Sequence, residues 1–290
     1  MLRIILSILM AGILGLSGQS QDSFSEQELR LAFNADVMIN AHKASHRSMA
    51  NSLFKDQFIE VLQKENSFSF PFDSLIWISK IKPSDQSFRI FSWQIKADND
   101  TVQYFGVLQK ENGAIFELKE RKGPVDDMLY ELFSDFDWLG QMYYDIHENG
   151  SGDSKSYLLF GYRETAAHSK QKIAESLILS EEGLQFGDEL FFKEDARHGE
   201  NRIFIEYAKI ANASLKFDPE LEMIIFDHLV PVINPYEDNK MMMVPEGTLE
   251  AYFLEKGKWI YKEKIFNQAY DLPPMPNPVL KDRDKNIFGK

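Results

Sequence analysis

Asp227 and His228 are the only adjacent aspartate and histidine in the chain, and they close the apolar run Met223-Ile-Ile-Phe226. A carboxylate and an imidazole at the exit of a strand are the groups that general acid–base chemistry uses. Arg202 and Glu206, on a β-forming run upstream, add a guanidinium and a second carboxylate. The four form the candidate catalytic set of a hydrolase or lyase acting on an extracellular polymer. Side chains alternate along a strand, so Asp227 and His228 point to opposite faces unless a bulge intervenes, which argues against a direct pair. The competing reading has Asp227 accepting backbone hydrogen bonds in the turn that follows and His228 as a boundary residue.

Trp138, Tyr143, Tyr144 and Tyr207 are candidate ligand-binding residues, because rings stacked on a sheet face bind sugars; the alternative is that they fill a β-core. His42 and His46 stand four apart on a helical pattern and could face one metal ion, but Lys43 occupies the place where a metallopeptidase motif needs glutamate. Asp98-Asn99-Asp100 and Asp135-Phe136-Asp137 bring oxygens close together without the glycine and further acids of a helix-loop-helix calcium site. No nucleophile elbow, phosphate loop or dinucleotide motif occurs, so neither a cofactor nor a metal is expected. The chain has no cysteine, which removes disulfides, thiolate metal sites and a lipid-attachment site.

These residues must be positioned by β-structure. Leu75 to Lys82, Ser87 to Lys96, Thr101 to Lys110 and Ala114 to Lys119 alternate as strands of a meander, with Asn112-Gly113 as the strongest hairpin signal. Met128, Leu129, Leu132, Phe133 and Phe136 then predict a helical crossover near 124–137. Strand patterns resume over Gly140 to Ile146, Ser156 to Tyr162, Lys172 to Leu179, Leu184 to Phe192 and Arg202 to Ile210. A hairpin turning at Asp218-Pro219 follows, then Leu249 to Leu254 and Lys258 to Ile265. Pro231 has no N–H to donate and should end its strand. Ahead of the strands, Ser25 and Glu28 form a capping box with Phe24 and Leu29 as staple, and Phe54, Phe58, Val61 and Leu62 mark a second helix.

Residues 1–20 carry Arg3, an apolar run and then small residues, the pattern of a signal peptide cut after Gly18 or Ser20. The expected organisation is a leader at 1–20, helices at 21–66, an antiparallel β-domain at 67–266, and an extended or disordered Pro-rich tail at 267–290. The net charge of −13 becomes −14 when a leader with Arg3 and no acid is lost, so nucleic acid is disfavoured as a partner. No later run is long enough to span a membrane.

Phe72-Asp73-Ser74-Leu75, Phe88-Arg89-Ile90-Phe91-Ser92-Trp93, Tyr104-Phe105-Gly106, Trp138-x-Gly140-x-x-Tyr143-Tyr144, Tyr157-Leu158-Leu159-Phe160-Gly161-Tyr162, Phe186-Gly187, Phe204-Ile205-Glu206-Tyr207 and Phe226-Asp227-His228-Leu229 follow one another in this order. In this the chain resembles a family of exported bacterial proteins with no assigned activity. The resemblance implies export and a shared fold and transfers no catalytic residue. Pro245-Glu246-Gly247-Thr248 stands where a Pro-Asp-Gly-Ser type of turn is more usual. The fold class expected is mainly β (α+β), an antiparallel meander forming a sandwich or barrel-like domain with an N-terminal helical segment. The function expected is non-catalytic binding of a protein or glycan partner outside the cytoplasm, with the hydrolase or lyase as alternative and a structural assembly part as a third reading.

Overall fold

A computed structural model describes residues 24–98, 101–125, 127–150, 152, 155–165, 169–180, 183–194, 196–233, 241–263 and 265. The expected leader and tail lie outside these residues. Helix α1 (residues 24–40) and helix α2 (Ala44–Leu62) form the N-terminal segment. Residue 24 is already helical, so Ser25 is not the predicted cap. Glu28 is buried and accepts the Ser74 N–H at 2.6 Å, tying α1 to the loop before the first strand.

The first sheet is the predicted meander: β1 (Ser79–Ile81), β2 (Phe88–Lys96), β3 (Val102–Lys110) and β4 (Ile115–Leu118), each antiparallel to the next. Its turn carries φ +89° at Gly113 alone, with the Gly113 N–H bonded to the Lys110 carbonyl. That is a three-residue loop ending in a left-handed glycine rather than a two-residue turn with both φ positive.

The second sheet has the order β5-β9-β8-β7-β6, from β5 (Phe133–Ser134), β6 (Met142–Asn149), β7 (Ser156–Glu164), β8 (Ser169–Leu179) and β9 (Leu184–Phe186), with β11 (Arg202–Ala208) also paired to β8. The third runs β10-β15-β14-β13-β12, from β10 (Phe191–Phe192), β12 (Leu215–Asp218), β13 (Met223–Ile233), β14 (Met241–Glu255) and β15 (Lys258–Lys262). Every pair of strands is antiparallel except β10 with β15.

Period two explains how these sheets stack. On β2, Phe91, Trp93 and Ile95 face α1 and α2, while Phe88 and Ile90 face the second sheet. On β7, Tyr157 and Leu159 face the first sheet, while Leu158 and Phe160 face the third. Strands apolar on both faces are covered on both faces, giving a helical layer on three stacked sheets. The helices are pinned by Phe58 against Phe91, ring centres 4.8 Å apart, and by the buried Trp93 Nε1 donating to Asn51 at 2.7 Å. The architecture is mainly β with a sandwich-like core, and no closed barrel forms among the described residues.

The predicted crossover helix is absent: residues 127–137 form turns, the short β5 and bridges. A helix would need the carbonyls of its first turn for its own ladder. Here the Met128 carbonyl accepts from Arg202 Nη1, the Leu129 carbonyl from the Asn201 N–H, and the Tyr130 carbonyl from Asn201 Nδ2.

Arg202 lies opposite Glu175 across β11 and β8, both fully buried, with Nε to Oε2 at 3.1 Å. Gln141 Nε2 donates to Glu175, as does the Tyr143 hydroxyl at 3.4 Å, and Trp138 Nε1 donates to that hydroxyl at 2.8 Å. Burial pushes the Glu175 carboxyl up, while Arg202 and its other donors pull it back. A Cβ on Gly161 would stand 2.1 Å from Gln141 Oε1, so that residue is glycine because the network fills the space above it.

A second clasp joins the first two sheets. Asp85 accepts from Lys155 Nζ at 2.6 Å and from the Tyr157 hydroxyl at 2.7 Å, and Lys155 also reaches Glu148 at 2.9 Å. Partial burial would raise the Asp85 carboxyl, but bonds from Lys155, Ser87 and Tyr157 outweigh it and hold the group well below the usual range.

Two outcomes follow. Arg202→Met leaves Glu175 buried and unpaired and is expected to cost about 3–5 kcal/mol in urea unfolding, whereas Arg202→Met with Glu175→Leu costs markedly less; equal losses would rule out the pair as the reason. A carboxyl whose pKa is depressed by folding stabilises fully above its unfolded value of about 3.9 and loses that contribution as pH falls through the folded value. The stability gap between the native chain and Asp85→Asn is therefore constant above about pH 5 and narrows towards about pH 2. Urea midpoints at each pH measure it, and a gap independent of pH would count against the clasp.

Candidate functional site

Among the described residues β11 pairs with β8 alone and leaves its other edge without a strand partner, and β14 of the third sheet approaches it. The wedge between them is a cleft of about 550 Å³. Its apolar floor includes Ile203, Ile205, Phe226 and Leu229, and its polar lining Lys193, Glu200, Glu206, Asp227, His228 and Glu250, with Tyr252 and Tyr261 to one side.

A bulge builds the polar part. Asp227 lies opposite Leu249, and Leu229 lies opposite Pro245, so His228 alone faces Glu246, Gly247 and Thr248. Gly247 takes φ +95° to make this possible. The Pro245-Glu246-Gly247-Thr248 segment, read from sequence as a turn, is thus a bulge inside a long strand. His228 Nδ1 meets Glu250 Oε1 at 2.5 Å and its Nε2 lies 3.6 Å from Glu246 Oε1, so carboxylates engage the imidazole on both sides. Asp227 turns elsewhere: its Oδ2 accepts the Ser214 N–H at 2.5 Å, and its own N–H donates to the Ser214 carbonyl at 3.2 Å. The clamp falls on the residue before β12 rather than on the turn after β13. Asp227 and His228 do not pair, and the bulge is the intervening irregularity.

Of the four catalytic candidates, Glu206, Asp227 and His228 line this cleft, and Arg202 is sealed behind it on Glu175. Glu206 accepts from Ser169 and, at 2.9 Å, from Gln171. Among the ring candidates, Trp138 and Tyr143 belong to the buried network and Tyr207 to the core against the third sheet. Tyr144 is part-exposed, with its hydroxyl donating to the Leu215 carbonyl at 2.5 Å and its ring under Lys172. The four rings therefore form no common stacking face. His42 lies in the break between α1 and α2 and His46 on α2, both exposed rather than paired on one helix. Asp135 is buried and accepts the Leu184 N–H at 3.3 Å. Among the described residues no group of three or more metal-ligating side chains converges.

Beyond the cleft, β13 and β14 continue as an arm. β12 ends its pairing at Phe226 and β15 begins its pairing at Ala251, so from Leu229 to Ile233 and from Met241 to Pro245 the two strands have only each other as partners among the described residues. Pro231 does not end the strand, because among the described residues β13 has a partner here on one side only, and a missing N–H is tolerated at such an edge. Ile233 is 63% exposed and Met241 62%. Sequence reading missed this arm, together with Glu200, Glu246, Glu250, Tyr252 and Tyr261. The one available signal was the apolar run of methionines at 241–243 set against Leu229-Val230-Pro231-Val232-Ile233.

No family model matches the chain, and neither a curated protein nor a solved structure matches it.

Alanine at 247 meets no neighbouring atom, so its cost is conformational alone. Gly247→Ala is expected to lower stability by about 1–2 kcal/mol and to move the His228 imidazole signals in NMR. Unchanged signals would show that the bulge does not hold His228.

Proposed function

We propose that the mature chain is an exported module that holds a protein partner at the face where the β11 cleft opens onto the β13–β14 arm, without chemically transforming it. The observation that carries the reading is the arm: a two-stranded ribbon with exposed apolar side chains and no core of its own, contiguous with a cleft through Leu229 and Met243. Such a ribbon is at best marginal in water and gains by being covered. The reading is further supported by His228, whose two ring nitrogens are both engaged by carboxylates. A protein is favoured over a glycan because Trp138, Tyr143 and Tyr207 are buried and offer no ring platform. Export rests on the apolar leader and on the resemblance to exported bacterial proteins.

The alternative, a hydrolase or lyase, is favoured by the convergence of Glu206, Asp227 and His228 on one cleft. It lacks the guanidinium once counted with them.

A photo-crosslinking residue at Tyr261 is expected to trap a discrete protein in the exported fraction of producing cells, whereas the same residue at Lys256, in the β14–β15 turn, traps none. Equal trapping at both positions would overturn the reading, as would turnover of an extracellular polymer that His228→Ala abolishes. Mass spectrometry of the exported chain should find Gln19 or Gln21 at its N-terminus. A chain retaining Met1 inside the cell would refute export.

A further inference from the structure

The arm's two faces differ. Leu229, Pro231 and Ile233 lie opposite Pro245, Met243 and Met241, and alternation puts these six on one face. It is the more exposed face and enters the cleft through Leu229 and Met243. Val230 and Val232 with Val244 and Met242 form the other, half-buried face.

A free strand edge normally invites another strand. Each strand of this arm carries a proline, Pro231 and Pro245, which removes a ladder donor from each. What the arm offers is therefore its side chains rather than its backbone. Three of the six are proline or leucine, rigid or nearly so, and two are methionines, which repack readily around varied apolar partners.

Charge selects the kind of partner. The described residues of the arm, 229–233 and 241–245, are uncharged, and the acids Asp227, Glu246 and Glu250 stand at its lower end around the bulge. At its base the cleft adds Glu200 and Glu206, and of these Glu200 is already bonded to Lys193 at 2.8 Å. An apolar face leading into a negative mouth is complementary to a segment with a row of apolar side chains followed by lysine or arginine. A second copy of this chain, at a net charge of −13, has the wrong sign for that mouth.

Resting on the protein-binding reading above, we propose that the Leu229–Ile233 and Met241–Pro245 face docks a cationic, amphipathic segment of the partner. Its apolar side chains lie on Ile233, Met241 and Met243, and its basic end sits against Glu246 and Glu250.

The test uses the full mature chain and a fluorescent synthetic peptide of alternating leucine and lysine, with leucine–glutamate and serine–lysine peptides as controls. The leucine–lysine peptide is expected to bind and both controls to fail. Ile233→Ser with Met241→Ser and Met243→Ser should weaken binding at least about tenfold, since apolar contact is lost. Glu246→Gln with Glu250→Gln should weaken it as well and flatten its salt dependence. Ile233, Met241 and Met243 lie outside the three buried clusters, which the arm joins only through Leu229, so urea midpoints close to the native value confirm that the variants fold.

Equal binding of the serine–lysine peptide would reduce the site to undirected charge and overturn the proposal. So would affinity unchanged by the arm variants, an arm-dependent doubling of mass in light scattering, or arm-dependent flotation with phosphatidylcholine vesicles. If Tyr261 crosslinking persists in the serine variant, the protein-binding reading stands and the arm assignment falls. If the peptide binds as expected but Tyr261 traps no partner, the reverse holds.

Discussion

A buried ion pair sets the terms for this molecule. Arg202 and Glu175 face each other across two strands with no exposure to water, and charges in that position are tolerable only if every neighbour is arranged around them. Gln141, Tyr143 and Trp138 supply donors on one side, and the Met128 carbonyl accepts on the other. The consequences spread outward. The chain at 127–137 stays irregular because its carbonyls serve Arg202 and Asn201, and Gly161 stays small because Gln141 needs the space above it. The pair also lies in the β8–β11 ladder, and β11 in the second sheet leaves an open edge facing the third. The cleft exists because of where that edge falls.

The site and the core are built on opposite principles. In the core, alternation lets Phe88 and Ile90 pack one way and Phe91 and Trp93 the other, so both faces of a strand are covered. In the arm, the same alternation runs on after the covering strands have ended, and Ile233 and Met241 are left in solvent. The transition is made at one bulge, where His228 spans three residues of β14 and is gripped by Glu246 and Glu250. Two prolines blunt the exposed edges against unwanted strand pairing. The apolar surface so formed carries a proline on each strand and is contiguous with the cleft through Leu229 and Met243.

Reading the chain residue by residue reached much of this and missed the rest for identifiable reasons. The meander from Ser79 to Leu118 was legible because each strand alternates and each turn carries its own signal. The hairpin at Asp218-Pro219 was legible for the same cause. Pro231 and Pro245-Glu246-Gly247-Thr248 misled, because proline and glycine signify a strand's end unless the edge is known to be free. Met128, Leu129, Leu132 and Phe133 have helical spacing, yet the carbonyls of Met128, Leu129 and Tyr130 find their partners some seventy residues away. Asp227 and His228 drew notice as neighbours in sequence, while the groups that engage them, Ser214, Glu246 and Glu250, come from other elements.

Local chemistry, then, was enough to establish that the chain forms antiparallel strands behind an N-terminal helical segment and that no cysteine chemistry is available. Those properties depend on alternation, turn residues and composition, all of which operate over a few positions. The choice of partner strand was beyond that range. Arg202 reads as a reactive cation until β11 is laid against β8 and Glu175 closes over it, and the arm reads as two strand ends until β12 and β15 are seen to stop short. Register between distant segments is fixed by how whole faces pack, and packing is a property of the assembled layers.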